Sequence, residues 1–197
     1  MKLTAIFEKW HIGDGNYPPL HRGQQVNLSF EINPSDIEKC AAERAESFVD
    51  LGGGEYDFTG TVLRTYEPQA VTVVRSGNFR FYVNRSMALK EGDQVRGKGI
   101  LFLDRYTWVE FLHQYPNPPD LFYQLRIERI RRVQIPEHYV SRDRQSKSLP
   151  TSLAPHDYAA EHVSEIETME GEDSDEQFYL LDLSDEGVSG QVARTFI

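Results

Sequence analysis

The chain has very little cysteine and no long apolar run. Cys40 is its single cysteine among 197 residues, which excludes an internal disulfide and any metal site built from several cysteines. No stretch approaches the roughly 18 apolar residues that a membrane-spanning helix requires. The first residues, from Met1 to Lys9, do not resemble a secretion signal, because a charge interrupts the apolar stretch. We therefore expect a cytoplasmic protein with no membrane partner.

The last quarter of the chain has almost no positive charge. From Ser148 to Ile197 there are 12 Asp and Glu residues against one cation, Arg194. The preceding 147 residues hold 20 cations and 19 acids, so the formal net charge of −10 belongs almost entirely to the C-terminal segment. We predict three parts: a β-rich globular body over 1–140, a polar linker over 141–155, and an acidic segment over 156–197.

The sequence also lacks the common motifs of catalysis and cofactor binding. It contains no Gly-x-Ser-x-Gly nucleophile motif, and the run Gly52-Gly53-Gly54 is not followed by the Lys-Ser/Thr pair of a phosphate loop. His162 and Glu165 have the spacing of two ligands on one helix face, but two ligands without partners do not make a metal site. We predict no catalytic, cofactor-binding or metal-binding residues.

What is present is a strong β-strand pattern. Alternating apolar residues from Val26 to Ile32 predict a half-buried strand. Between about residues 56 and 135, short β-branched and aromatic runs alternate with turn residues, and one of these runs is Tyr106 to Leu112. Closely spaced short strands are typical of an antiparallel barrel or sandwich. The predicted fold class is α+β, mainly β.

Two segments have helical spacing. Ser35 with Glu38 fits a capping box, apolar residues then recur at helical spacing, and the glycine run supplies a stop, so we predict one N-terminal helix over about 35–51. Residues 155–169 predict a short amphipathic helix in the acidic segment. An apolar, strand-like piece follows it, from Phe178 to Leu183.

The middle of the chain is similar to a known barrel fold. Gly60-Thr61-Val62 is followed by the hairpin from Val71 to Val83, and then by the segment from Leu89 to Gly99, in which a Gly-Asp turn precedes a glycine-containing strand. This stretch resembles the middle strands of an OB-fold. The resemblance implies a small β-barrel whose glycines allow tight bending. It also implies an interface for single-stranded nucleic acid, which OB-folds bind with stacking aromatic rings beside basic side chains.

Aromatic and basic residues of the required kinds occur in this region and in the strand that follows it. The segment from Phe58 to Ile135 holds 12 cations and 7 acids, a modest positive excess. The alternative interpretation is that the arginines lie on the solvent face of ordinary strands. The candidate binding face consists of Arg75, Phe79, Arg80, Phe81, Tyr82, Arg85, Arg96, Lys98, Arg129, Arg131 and Arg132.

The apolar piece inside the acidic segment is a candidate docking segment, because it is too apolar to remain in water. Its members are Phe178, Tyr179, Leu180, Leu181 and Leu183. We expect it to bind either a basic partner protein or the chain's own basic face. The leading functional hypothesis is therefore a non-catalytic, macromolecule-binding protein of adaptor, regulatory or immunity type. Single-stranded nucleic-acid binding is the alternative, and an unrecognised enzyme is the third.

Overall fold

The computed structural model describes residues 1–8, 10–41, 45–67, 70–84, 88–104, 106–134, 163–169 and 177–186. The predicted linker, the acidic run 170–176 and Arg85 lie outside these residues.

Five strands form a closed, mixed β-barrel, which confirms the barrel prediction. Each strand is paired antiparallel with the next, and the ring closes where the last strand meets the first in parallel, at Tyr82 and Glu31. In the order of pairing, the strands are β4 (Phe30–Lys39), β9 (Gln94–Leu103), β6 (Glu55–Tyr66), β7 (Val71–Ser76) and β8 (Phe79–Asn84). An additional strand, β5 (Ser47–Gly52), pairs antiparallel with β6.

The glycines of β9 allow the barrel to close tightly. A methyl group on Gly99 would lie 2.5 Å from the carbonyl oxygen of Asn33, and one on Gly97 would lie 2.7 Å from that of Asp36. Both distances are shorter than any van der Waals contact, so only glycine permits β4 and β9 to approach this closely.

The remaining strands extend the sheet beyond β9. These strands are β1 (Lys2–Phe7), β3 (Gln25–Leu28), β10 (Tyr123–Gln134), β11 (Val163–Ile166) and β13 (Gln177–Ser184). β9 meets β1 in parallel at one position, β1 pairs with β13, and β13 pairs with β10. The other edge of β10 pairs with β3 and then with β11. Since Ser29 joins β3 directly to β4, these pairings return to the barrel strand that is paired with β9. A separate pair joins β2 (Leu20–His21) to β12 (Thr168–Met169).

Helical structure is sparse in the described residues. α1 (Trp10–Gly13) follows β1, while α2 (Tyr106–Glu110) and a 3-10 turn (Leu112–Gln114) follow β9. The segment after β9 contributes Leu112 and Leu121 to an apolar cluster with Tyr82 and Val73. It therefore covers part of the outer face of β7 and β8. No helix among the described residues is long and apolar enough to span a membrane.

The predicted helix over 35–51 is wrong, because the described residues of this range continue β4 and form β5. The hydroxyl of Ser35 donates to the Lys98 carbonyl across the β4–β9 pair, and Glu38 forms an ion pair with Arg96. Both residues of the apparent capping box therefore make cross-strand contacts. The glycine run has positive φ at all three positions and joins β5 to β6 in a hairpin.

The predicted strand from Tyr106 to Leu112 is also wrong, since α2 occupies most of it. Asp104 caps this helix: its Oδ1 accepts from the backbone N–H of Tyr106 at 2.6 Å, and its Oδ2 accepts from the Thr107 hydroxyl at 3.0 Å. The apolar and aromatic composition suggested a strand, whereas the capping aspartate that begins the helix lies just before it.

The described part of the predicted helix over 155–169 is β11 and β12, so the prediction is wrong for 163–169, and 155–162 lie outside the described residues. The strand-like piece is confirmed as β13. It pairs with β1 on one edge and with β10 on the other, and it is therefore an internal strand of the sheet.

Candidate functional site

The aromatic rings of the predicted binding face are buried. Phe79 and Phe81 lie in the interior of the barrel, where Phe79 packs against Phe30 and Phe81 packs against Phe58. Tyr82 points to the opposite side, under the segment that contains α2. None of the three rings is exposed for stacking on a base.

Two of the predicted cations, Arg75 and Arg80, lie together at the tip of the β7–β8 hairpin. They line an open depression of about 380 Å³ that also includes Phe122 and Tyr123. The Arg75 guanidinium is 3.1 Å from the Glu46 carboxylate, and Arg80 donates to the Asp120 carbonyl at 3.5 Å. The depression therefore contains carboxylates as well as cations and is not a purely basic site.

The other described cations of the predicted face contact groups of the same chain. On β9, Arg96 pairs with Glu38, and the ammonium group of Lys98 lies 3.1 Å from the Glu55 carboxylate. Lys98 and Arg96 are thus on the outer wall of the barrel, as the alternation predicts, but each has an acidic neighbour.

The basic residues of β10 lie beside the acidic residues of the C-terminal strands. Asp182 accepts from Arg129 and from Arg131, each at 2.6 Å. Arg129 also lies 3.2 Å from Glu165, and Arg132 contacts the Ser164 hydroxyl. Hydrogen bonds from both arginines keep the pKa of Asp182 below its ordinary value, against the effect of burial.

All five members of the predicted docking segment are buried. They are Phe178, Tyr179, Leu180, Leu181 and Leu183. They are core residues of β13, and their contacts are made within the chain.

A group of titratable side chains that the sequence did not predict lies where β4, β8 and β9 meet. Glu31 lies opposite Tyr82 in the parallel β4–β8 pair. Asp104 follows β9 directly and accepts a hydrogen bond from the Tyr82 hydroxyl. The carboxyl groups of Glu31 and Asp104 are hydrogen-bonded to each other. We call these two residues the carboxyl pair.

The carboxyl pair holds a proton at neutral pH. Burial raises the pKa of Glu31 to about 8, and the charge of Asp104 and its hydrogen bond to Glu31 act in the same direction. Two carboxylates in contact cannot both ionise at low cost, so one of them keeps its proton. Burial also raises the pKa of Tyr82 well above its usual range, so its hydroxyl remains a donor.

α1 places an imidazole and an indole beside the carboxyl pair. His11 is buried, with 3% of its surface exposed, and burial lowers its pKa although Asp104 and Asp14 oppose this effect. Its Nδ1 atom has no hydrogen-bond partner among the described residues. The Trp10 ring stacks on His11 at 3.8 Å, and its Nε1 donates to the Glu8 carboxylate at 2.9 Å.

Three exposed aromatic side chains form a row next to this group. Trp10 is 45% exposed, Tyr106 is 42% exposed and Phe111 is 37% exposed. The ring centroids of Trp10 and Tyr106 are 6.5 Å apart, and those of Tyr106 and Phe111 are 6.2 Å apart. We call these three residues the aromatic patch. Because the N–H of Tyr106 binds Asp104, the aromatic patch and the carboxyl pair form one site.

The chemistry of this site suits a cation. Aromatic faces attract ammonium and guanidinium groups, and nearby carboxylates strengthen that attraction. Trp and Tyr are also the residues that most often dominate the affinity of protein interfaces. Among the described residues, no group of three or more His, Cys, Asp or Glu is arranged to hold a metal ion.

No family model matches this chain, and no curated protein or solved structure matches it either. Function is therefore inferred from the chemistry of the site itself.

Proposed function

We propose that this chain is a non-catalytic protein-binding module whose partner is a basic protein, as in adaptor, regulatory or immunity-type proteins. The observation that carries the proposal is the aromatic patch, exposed beside the carboxyl pair and Glu8. Exposed aromatic side chains in mutual contact are unusual on a surface that only faces water. With carboxylates beside them, they recognise lysine and arginine side chains.

The charge of the whole chain supports a basic partner. The formal net charge is −10, and 12 of the acids lie between Ser148 and Ile197. The C-terminal acidic segment then attracts the partner at long range, while the aromatic patch makes the close contacts. This division differs from the sequence-based hypothesis, in which the apolar part of that segment was the docking surface.

Single-stranded nucleic-acid binding has less support. The strand order is compatible with an OB-like barrel: β6, β7 and β8 form a meander, β9 returns to β6, and β4 takes the place of a final strand although it comes first in the chain. However, the aromatic side chains of the β7–β8 hairpin are buried, and the described cations of the candidate face other than Arg132 have acidic or carbonyl neighbours. Within the described part of the candidate face, the depression at Arg75 and Arg80 combines cations with the partly exposed rings of Phe122 and Tyr123.

An enzyme is the third possibility, and the carboxyl pair is the observation that bears on it. A protonated carboxyl group beside an ionised one is a common acid–base arrangement. Here the Asp104 oxygens already accept hydrogen bonds from the hydroxyls of Tyr82 and Thr107 and from the backbone N–H of Tyr106. These contacts favour a role in fixing α2 beneath the aromatic patch.

The proposal is tested with an arginine-rich peptide of about twelve residues and a matched peptide in which every arginine is replaced by citrulline. Calorimetric titration is expected to give binding of the arginine peptide only. The double variant W10A/Y106A is expected to lower the affinity about tenfold, since each exposed cation–π contact contributes ~0.5–1 kcal/mol.

The matched control is W10F/Y106F, which keeps both rings and is expected to stay within about threefold of the wild type. Equal binding of the arginine and citrulline peptides, or equal affinity of the two double variants, contradicts the proposal. Salt-sensitive binding of oligothymidine that is lost in R75A/R80A supports the nucleic-acid alternative instead.

A further inference from the structure

We propose that β5 is a docking edge, to which an extended segment of a basic partner protein adds as a further strand. This surface is separate from the aromatic patch, and the inference does not require that the patch bind anything. It goes beyond the proposed function because it specifies a second contact and the backbone conformation of what binds there.

The first observation is the pairing of β5. It is hydrogen-bonded to β6 over its whole length, from Ser47 opposite Thr59 to Gly52 opposite Glu55. No strand among the described residues pairs with its other edge, and β5 is the last strand in the order of the sheet. An unpaired edge presents backbone N–H and C=O groups that another extended chain can complete.

The second observation is the exposure of β5. Val49 is 50% exposed and Leu51 is 44% exposed, and both belong to the small set of large apolar side chains that the described residues expose. Val49 lies within the regular ladder opposite Asp57, and Leu51 lies at the register shift that ends it. β5 contains no lysine and no proline, which are the usual protections of an edge strand, and its register shift falls only at its end, between Asp50 and Gly52.

The third observation is that β5 is held rigidly from the other face. The Phe48 ring stacks on Tyr56 at 4.5 Å and packs against Phe79 and Phe81. At the start of the strand, the Ser47 carbonyl accepts a hydrogen bond from the Ser76 hydroxyl at 2.6 Å. An edge that is fixed in advance loses little conformational entropy when a partner strand is added.

The carboxylates near this edge indicate which kind of segment can bind to it. Asp50 is exposed on β5, and Val49 is paired with Asp57 of β6, which is also exposed. A second copy of this chain would place these carboxylates near their equivalents and would join two molecules of net charge −10. A segment in which apolar residues alternate with lysine or arginine instead covers Val49 and Leu51 and neutralises the carboxylates.

The test uses the isotope-labelled full chain and an eight-residue, end-capped peptide of alternating valine and lysine. The control is the same peptide methylated at every second backbone nitrogen, which removes the donors along one edge. Amide chemical shifts are expected to change for residues 47–52, and exchange with solvent is expected to slow at least tenfold for those β5 amides that do not bond to β6. We expect the methylated peptide to bind at least tenfold more weakly.

The variants V49K/L51K and V49I/L51V form a matched pair at exposed positions. The lysine pair is expected to lower peptide affinity at least tenfold by repulsion and lost apolar contact, and the conservative pair is expected to bind as the wild type does.

Four results overturn the inference: equal binding of the methylated peptide; shifts confined to the surroundings of Trp10 and Tyr106; full exchange protection of the β5 amides in the free protein; or a homodimer in sedimentation that V49K/L51K abolishes. The second of these leaves the proposed function standing, whereas loss of arginine-peptide binding at the aromatic patch leaves β5 unaffected.

Discussion

At the scale of single residues, the most informative side chain is Glu31. Its carboxyl group is hydrogen-bonded to Asp104 and lies opposite Tyr82, and its pKa is raised to about 8. A group whose pKa is raised by folding stabilises the folded state at low pH. That contribution is lost as the pH rises through the pKa of the folded state, because the unfolded chain releases the same proton at a lower pH.

We expect Glu31→Gln to become more stable relative to the wild type as the pH increases from 5 to 9. Glutamine keeps the size and hydrogen-bonding capacity of a protonated glutamate but cannot ionise. The difference in the free energy of unfolding should change by on the order of 3 kcal/mol, because each unit of pKa shift corresponds to about 1.4 kcal/mol. Urea unfolding at pH 5, 7 and 9 measures it. Glu38→Gln, at an exposed ion pair, is the control, and parallel pH curves for E31Q and wild type contradict the prediction.

The carboxyl pair could not be predicted from the sequence, for a physical reason. Glu31 and Asp104 are far apart in the chain, and only the antiparallel register of β4 and β9, with Phe30 opposite Leu103, brings them together. By contrast, Arg75 and Arg80, both members of the candidate binding face, come together because a short hairpin joins β7 to β8. Composition identified the rings of Phe79 and Phe81, but not which side of the strand faces the barrel interior.

At the scale of secondary structure, β-strands were predicted well where alternation is regular and poorly where local signals conflicted. β3, β7, β8, β9 and β10 follow from their sequence patterns. The segment from Ser35 to Cys40 has a capping box and helical spacing, yet its backbone pairs with β9, whose glycines allow close approach. Tertiary pairing therefore overrides a weak helical preference.

The clearest test at this scale concerns β13. The charge of the sequence predicts that this part of the chain belongs to an acidic segment outside the globular body. Leu181 is fully buried and lies opposite Ala5 of β1 and Ile130 of β10. We expect Leu181→Ala to lower the free energy of unfolding by ~2–4 kcal/mol, as for other buried leucines. Leu51→Ala makes the same chemical change at an exposed position and should cost under about 1 kcal/mol. Chemical denaturation compares them directly, and equal losses would mean that β13 is not part of the core.

At the scale of the whole molecule, some charges are paired within the chain, and a net negative charge remains. Within the described residues, many cations are paired with acids of the same chain, as Arg129 and Arg131 are with Asp182. The net negative charge that remains acts over long distances on anything that approaches. A basic partner is therefore attracted before it makes contact, and the attraction is sensitive to salt.

We expect the association rate with the arginine-rich peptide to fall at least tenfold when the ionic strength rises from ~0.01 M to ~0.15 M, since the Debye length shortens from about 30 Å to about 8 Å. The dissociation rate should change much less, because the contacts at the aromatic patch are short-ranged. Stopped-flow tryptophan fluorescence measures both rates. A salt effect confined to dissociation would argue against long-range attraction.

The position of β13 between β1 and β10 also has a consequence for biosynthesis. Because synthesis runs from the N-terminus, β1 leaves the ribosome well before its antiparallel neighbour β13, which begins at Gln177. Until then the nascent chain exposes the facing edges of β1 and β10, and pairing of this kind, between residues distant in sequence, is slow. The sheet is therefore completed only after β13 has been synthesised, and the interval before it closes is the period in which the chain is most exposed to misassembly or to capture by a chaperone.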